Sequence, residues 1–350
     1  MFLLTLVVFV VILGLFIFVH EFGHFILAKT AGVKVEEFAF GFPPKLICRK
    51  RGETKYCLNL IPFGGYVKML GEEGGSDSSR SFAKKPTRWR LAIIVAGVVA
   101  NFLVAGLLFS FGYMVGITPI GLNPAQLGGR QTHQVVVAEV LKDSSAALAD
   151  IKVGDIIVGF DSVTGFRTFT AAHLGQEASL TISRAGETLT KSVVLSANTE
   201  APLGVGVADA PIVRLGFFRA FSAGFREMVM TTAYVAQLLW DFLVGIFKEG
   251  KVSAELSGPV GIFSVTGQAV RMGFGYVVQL AAVLSINLAL INILPFPALD
   301  GGKAVILFSE GIFRRKLIRQ EVENILHTVG FALLILLIMA VTIREILALL

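Results

Sequence analysis

Four blocks of apolar residues, each long enough to cross a bilayer, alternate along this chain with stretches where polar and charged positions return. Residues 1–19 hold no charged side chain, and the apolar run continues to about residue 28. At 1.5 Å per residue, a helix over that run crosses a hydrocarbon layer of about 30 Å. Runs over 91–115, 276–294 and 325–350 predict three further spans. Residues 45–50 and 54–60 flank the turn formers Arg51-Gly52-Glu53 and predict a hairpin. The next stretch, Ile61-Pro62-Phe63-Gly64-Gly65-Tyr66-Val67-Lys68-Met69, is apolar but broken by Pro and Gly, so it cannot span. It reads either as a β-loop entering the membrane, its backbone covered by protein or a water-filled cavity, or as an ordinary surface hairpin. From 116 to 274 the composition changes to that of a soluble domain, with acids and bases nearly balanced. Residues 225–247 are apolar enough to cross apart from Asp241, yet Arg226, Glu227 and Lys248 flank them. The fold class expected is a polytopic α-helical membrane protein of about four transmembrane helices, with a membrane-associated β-loop and an inserted α+β domain.

Composition agrees with the pattern. Of 350 residues, 54% are hydrophobic and 16% charged, and the mean hydropathy is +0.75, so the lipid bilayer is the main solvent. The formal net charge of +6 is no nucleic-acid signature, because the excess bases gather in loops beside apolar runs. Between 29 and 90, thirteen Lys and Arg face six Asp and Glu, which puts that loop in the cytoplasm and the N-terminus outside. Lys303, Arg314, Arg315, Lys316 and Arg319 make the loop before the last span cytoplasmic too. Cys48 and Cys57 lie in the first of these loops and are expected as reduced, buried thiols; two cysteines without further ligands make no zinc knuckle. The first run lacks a basic leader, so it is read as a retained span and not a cleaved signal.

The candidate chemistry sits in that first span. His20-Glu21-Phe22-Gly23-His24 reads H-E-x-x-H, and at 100° per residue all three ionisable side chains share one helix face. Two neutral imidazoles at i and i+4 suit zinc, and the intervening carboxylate is placed to take a proton from water activated there. His20 lies about 28 Å along the helix, near the far side of the apolar layer, where ionisable groups default to function. A third ligand is missing. Asn292-Ile293-Leu294-Pro295-Phe296-Pro297-Ala298-Leu299-Asp300-Gly301-Gly302 ends the third run with two prolines and an acid. Asp300 reads as that ligand, leaving a fourth position open for water, or as the N-cap of a helix starting at Gly301. Parity bears on the choice: Asp300 reaches the leaflet of His20 and His24 only if 225–247 lies on the surface as an amphipathic helix. In the second span, Gly97 and Asn101 are one turn apart; Asn101 either joins two helices or faces the catalytic cavity.

The inserted domain resembles a PDZ domain, on its Gly154-Asp155-Ile156-Ile157 turn into a strand and on Leu203-Gly204-Val205-Gly206-Val207. The resemblance implies strands over 135–140, 178–184, 188–195 and 203–207, a short helix over 168–174, and a peptide-binding edge at Leu203, Gly204 and Val205. The chain as a whole resembles the site-2 protease family of intramembrane zinc metalloproteases, most closely its bacterial RseP-like branch. The motifs are the HExxH, Pro62 to Met69, Gly97 to Asn101, Ser257-Gly258-Pro259-Val260-Gly261, and Asn292 to Gly301 as N-x-x-P-x-P-x-L-D-G. The resemblance implies one Zn2+ per chain held by His20, His24 and Asp300, with Glu21 as catalytic base. Asn292, Asn101, Gly64, Gly65 and Tyr66 are then expected at the substrate. It also implies a bacterial inner-membrane location, an active site towards the cytoplasmic leaflet and an extracytoplasmic PDZ domain, single where some relatives carry two. The substrate would be a single-pass transmembrane protein already shortened by another protease, such as an anti-sigma factor or a remnant signal peptide. The expected division is 1–28 first span, 29–90 hairpin and β-loop, 91–115 second span, 116–208 PDZ-like domain, 209–275 amphipathic surface helices, 276–302 third span with the Asp motif, 303–324 cytoplasmic loop and 325–350 fourth span. The competing classes are a non-catalytic PDZ scaffold with structural zinc and a metal-ion carrier. Glu21 between the histidines argues against the scaffold, and the scarcity of other intramembrane acids and histidines argues against the carrier.

Overall fold

The structure is a computed structural model that describes residues 1–72, 76–197, 201–249 and 258–349. In chain order its elements are α1 (Phe2–Thr30), β1 (Val35–Arg51), β2 (Thr54–Met69), α2 (Thr87–Val115), α3 (Pro124–Leu127), β3 (Arg130–Val140), α4 (Ser145–Leu148), β4 (Ile156–Ile157), α5 (Val163–Ala172), β5 (Glu177–Arg184), β6 (Glu187–Val194), β7 (Val205–Arg214), α6 (Phe217–Glu249), α7 (Pro259–Met272), α8 (Phe274–Ile293), α9 (Asp300–Phe313) and α10 (Gln320–Leu349). Four of these helices, α1, α2, α8 and α10, are long and apolar enough to cross a membrane. They coincide with the four expected spans. Their ends follow local chemistry. α1 stops where Gly32 takes a φ of +69° that residues with a Cβ avoid, and α8 stops before Pro295 and Pro297 remove two backbone donors. α6 is one continuous helix of 33 residues outside the set of candidate spans.

The described chain forms two compact units. One comprises Met1–Thr5, Gly106–Tyr234 and Phe263–Ala282. It holds a five-stranded antiparallel sheet in the order β6-β5-β4-β3-β7, so β7 is an edge strand. Val135, Val137, Ile157, Leu180, Val193 and Leu203 fill its core with Phe166 of α5. Asp155, from the Gly-Asp turn, is fully buried and takes Nε and Nη2 of Arg184 at 2.7 Å each and the Lys152 N–H at 2.8 Å. A buried carboxylate held on both oxygens by one guanidinium fixes the turn into β4. Two boundaries differ from expectation. The short helix occupies 163–172 and not 168–174, because Ser162 caps it by accepting from Gly165 N–H. The last strand starts at Val205 and runs to Arg214, and Ile117 bridges Val213, so the sheet passes the expected limit at 208. Glu227 of α6, read in the sequence only as a flanking charge, is fully buried. It accepts from Tyr113 Oη at 2.8 Å and from the N–H groups of Ile120 and Gly121 at 2.6 and 2.7 Å.

The other unit comprises Leu6–Ala105, Val235–Ile262 and Val283–Leu350. Its hairpin is longer than expected. Phe38 pairs with Tyr56 on one side and with Val67 on the other, so the start of β1 lies between the two ends of β2. The Pro- and Gly-broken stretch 61–69 therefore folds back as a third strand of one small sheet. Val35, Phe38, Val67 and Met69 pack with Ala28 of α1, Ile93 and Ile94 of α2, and Leu307 of α9. Glu37, inside this sheet, accepts from Lys45 and from the Tyr66 hydroxyl. Burial opposes its charge, but those two donors outweigh it and hold the carboxyl below its usual range. The thiol expectation is corrected here: Cys48 and Cys57 form a disulfide, and Cys48 is exposed. The hairpin register sets them directly opposite each other, which the one-dimensional pattern left unseen. Elsewhere in this unit, Glu345 of α10 accepts from the N–H groups of Gly258, Val260 and Gly261 at 2.6–3.2 Å, capping the start of α7. Of the motif 257–261, Ser257 lies outside the described residues.

Candidate metal centre

His20 and His24 sit on α1, where an uninterrupted apolar sequence keeps the helix regular through both. α2 crosses against that face, and glycine at two points permits the approach. A Cβ on Gly23 would lie 2.5 Å from the Ala96 oxygen, and one on Gly97 would lie 2.5 Å from His24 Nε2 and 2.7 Å from His20 Cε1. Both imidazoles are 8% exposed. Their Nε2 atoms are 3.2 Å apart. Asp300 Oδ2 completes the triangle at 3.0 Å from His20 Nε2 and 3.2 Å from His24 Nε2.

That triangle fits a divalent metal. Zinc bonds of about 2.0–2.2 Å at the tetrahedral angle separate neighbouring donors by about 3.3 Å or slightly more, close to the spacing here. The tautomer agrees. His24 Nδ1 donates to the Ile93 carbonyl at 2.7 Å, so Nε2 presents a lone pair to a carboxylate oxygen that has no hydrogen bond of its own. A cation between two acceptors reconciles them, and the backbone partner fixes the ring as it does in metal sites generally. His20 is backed by Asn101, which is fully buried with its amide 3.4 Å from Nδ1 and its carbonyl oxygen otherwise unpartnered. With Oδ1 turned to the ring, Asn101 accepts the Nδ1–H and frees Nε2 as a donor to metal. Its backbone oxygen accepts from Ser285 Oγ at 2.8 Å. Asn101 thus lies buried beside His20 and is bonded to Ser285 of α8.

Asp300 arrives differently. After α8 the chain turns through Leu294 to Leu299 and doubles back; a Cβ on Gly301 would lie 2.1 Å from the Ile293 oxygen, and one on Gly302 2.4 Å from the Phe296 oxygen. Ala298 takes a φ of +80°, a region that costs a residue with a Cβ about 1–3 kcal/mol and persists only where surrounding contacts offset that cost. Leu299 occupies the cap position and Asp300 is the first residue of α9, its Oδ2 accepting no backbone N–H. The N-cap alternative is thus not the arrangement adopted.

The remaining expected residues divide. Asn292 is near, its Nδ2 3.5 Å from His20 Nε2. Gly65 runs past Glu21: a Cβ there would lie 3.0 Å from Glu21 Cγ and 3.0 Å from the Ala39 oxygen, tighter than side chains ordinarily pack, so glycine favours this close approach of β2. Gly64 takes a φ of +120° against the Phe42 ring. Tyr66 pairs with Ala39 in the sheet and donates its hydroxyl to Glu37 at 2.5 Å. Leu203, Gly204 and Val205 belong to the sheet unit, where they line a groove of about 360 Å³ with Arg167, Thr170 and Ala171 of α5. Sequence reasoning missed the Ile93 carbonyl, which no side-chain pattern reveals. It also missed His327, whose Nδ1 accepts the Ala298 N–H at 3.0 Å; an imidazole inside the last apolar run was the available signal.

Comparison with known proteins now bears on this geometry. The family model described as peptidase family M50 matches residues 8–337. The chain belongs to peptidase family M50, the site-2 protease family. It is 37% identical over 335 residues to a putative zinc metalloprotease of Clostridium perfringens, covering 94% of this chain and 95% of that protein. It is 30% identical to the zinc metalloprotease RasP of Oceanobacillus iheyensis, covering 98% of each. It is 28% identical to the regulator of sigma-W protease RasP of Bacillus subtilis, covering 99% of each. The resemblance read from the motifs and the family found by comparison are the same.

Proposed function

We infer that this chain is a zinc-dependent intramembrane metalloendopeptidase that hydrolyses a peptide bond within or near the transmembrane segment of a single-spanning membrane protein. One observation carries the reading: two imidazoles and a carboxylate converge to 3.0–3.2 Å, with a second carboxylate on the same helix face. Relatives named zinc metalloprotease support zinc as the metal. Bound at His20, His24 and Asp300, it supplies Lewis acidity that acidifies water and polarises a carbonyl. Glu21 takes the proton of the attacking water and returns it to the leaving amine nitrogen. His24 and His20 stay neutral and oriented, through Ile93 and Asn101 respectively. A helical substrate hides its peptide bonds in its own hydrogen bonds, so it must unwind before attack. The strand through Gly65 and Tyr66, beside Glu21, is placed to replace those bonds by strand addition, and Asn292 to contact the unwound backbone.

The four spans support an integral membrane protein. We place the metal centre towards the cytoplasmic leaflet of a bacterial inner membrane, on the excess of Lys and Arg at 29–90 and 303–324, and the sheet domain outside; a reducing cytoplasm would then open the Cys48–Cys57 disulfide. The sheet domain reads as a single PDZ-like domain whose groove at Leu203–Val205 takes a peptide end. The substrate class is a single-pass protein already cut by another protease, of the anti-sigma-factor or remnant-signal-peptide type; the sigma-W regulator among the relatives supports it. No observation favours the scaffold or the carrier. The test is cleavage of a model transmembrane substrate by the full chain in detergent, with chelator and after zinc is returned. Activity lost to chelator and restored by zinc is expected; cleavage indifferent to metal removal contradicts the reading.

A further inference from the structure

Asp300 stands at the end of a turn that closes on itself through Phe296 N–H to the Leu294 oxygen at 2.7 Å and Leu299 N–H to the Phe296 oxygen at 3.1 Å, but leaves one backbone donor without a partner inside the turn. Pro295 and Pro297 contribute no N–H. Ala298 lies at φ +80° with its N–H pointing out of the turn. The acceptor for that N–H comes from another element, His327 Nδ1 of α10 at 3.0 Å. A backbone N–H can only donate, so His327 is the neutral tautomer with its lone pair on Nδ1. One turn on, Gly330 is the only buried residue of α10 among the described residues. A Cβ there would lie 2.4 Å from the Pro297 oxygen and 2.7 Å from its carbon. Residues three apart share a helix face, so acceptor and gap are presented together to two consecutive residues of the turn. Most of the rest of α10 is exposed along an apolar span, and its other packed point, Glu345, meets the start of α7 and not this turn.

We propose that His327 and Gly330 are positioning residues for the metal centre: α10 seats the turn 297–298 and thereby holds Asp300 against His20 and His24. The proposal rests on the reading of Asp300 as a ligand. Neither residue touches the ligand atoms, so their effect passes through the backbone of Ala298 and Leu299. His327 acts as an acceptor only, with no proton transferred, and an Asn whose Oδ1 takes the place of Nδ1 should therefore serve.

The experiment measures zinc retained by the full-length chain in detergent under chelator competition, beside kcat and KM for a model transmembrane substrate. His327→Ala is expected to weaken zinc retention about tenfold and to lower kcat with KM little changed, the scale seen when a supporting partner of a ligand is removed. His327→Asn is expected to return both to within about threefold of the parent, since the lost acceptor is restored. Gly330→Ala, which ordinarily favours a helix, is expected to weaken zinc retention in the same direction as His327→Ala. Asp300→Ala separates this inference from its foundation. If Asp300→Ala loses zinc while His327→Ala and Gly330→Ala retain it like the parent, the seat is wrong and the ligand stands. If His327→Asn is as defective as His327→Ala, an acceptor role is overturned. If Asp300→Ala keeps its zinc, the ligand reading falls and the seat with it.

Discussion

The two halves of the metal centre reach the same point by opposite means. His20 and His24 stand on an unbroken helix, one turn apart, and their spacing follows from helical geometry alone. Asp300 stands on the first residue of α9, behind a turn with two prolines and a residue at positive φ, and its place depends on what packs against that turn. The regular half needs support only for ring orientation, which Ile93 and Asn101 give. The irregular half needs support for the backbone itself. On the proposal made for His327 and Gly330, such a ligand set couples the metal to the packing of α10 and leaves the histidine pair indifferent to it.

Perturbing the regular half separates the two kinds of support. The largest effect is expected from Gly97→Val. Its added carbons have no space, with both imidazoles within 2.8 Å of the Cβ position, and overpacking there must turn the rings or part the helices. We expect zinc affinity to fall on the order of 100-fold, read by metal analysis under chelator competition, with the fold intact by circular dichroism. A chain that keeps parental zinc would mean that α1 and α2 do not meet at this face. Next comes Asn101→Leu, which removes the acceptor behind His20 and should cost about tenfold in zinc affinity. Asn101→Asp keeps an acceptor for Nδ1–H, in the carboxylate–histidine–metal arrangement, and should lie within about threefold of the parent. If Leu and Asp prove equally damaging, Asn101 fills space and does not orient the ring.

What the sequence disclosed tracks this division. Glu21 and the histidine pair were legible because a helix converts spacing into direction, and the four spans because apolar length is itself the signal. Asp300 was legible only through the prolines before it and the requirement for a third ligand; the local pattern equally allowed a helix cap. The pairing of 65–69 with 35–40 was not legible, since Pro and Gly break the alternation that marks strands and the partner is some thirty residues away. The disulfide followed from the same unseen register. Glu227 looked like a surface charge beside an apolar run, and only its three donors from α2 and the chain after it explain why it is buried. His327 was passed over because its partner is a main-chain N–H, which leaves no mark in the order of side chains.

The central claim is that His20, His24 and Asp300 hold the metal while Glu21 moves the proton. Glu21→Gln, assayed for zinc content and for cleavage of a transmembrane substrate in the same preparation, tests it most directly. The account predicts about one zinc per chain, as in the parent, with cleavage abolished, because the base is removed and every ligand remains. Cleavage near the parental rate, or loss of the metal with Glu21, would contradict it.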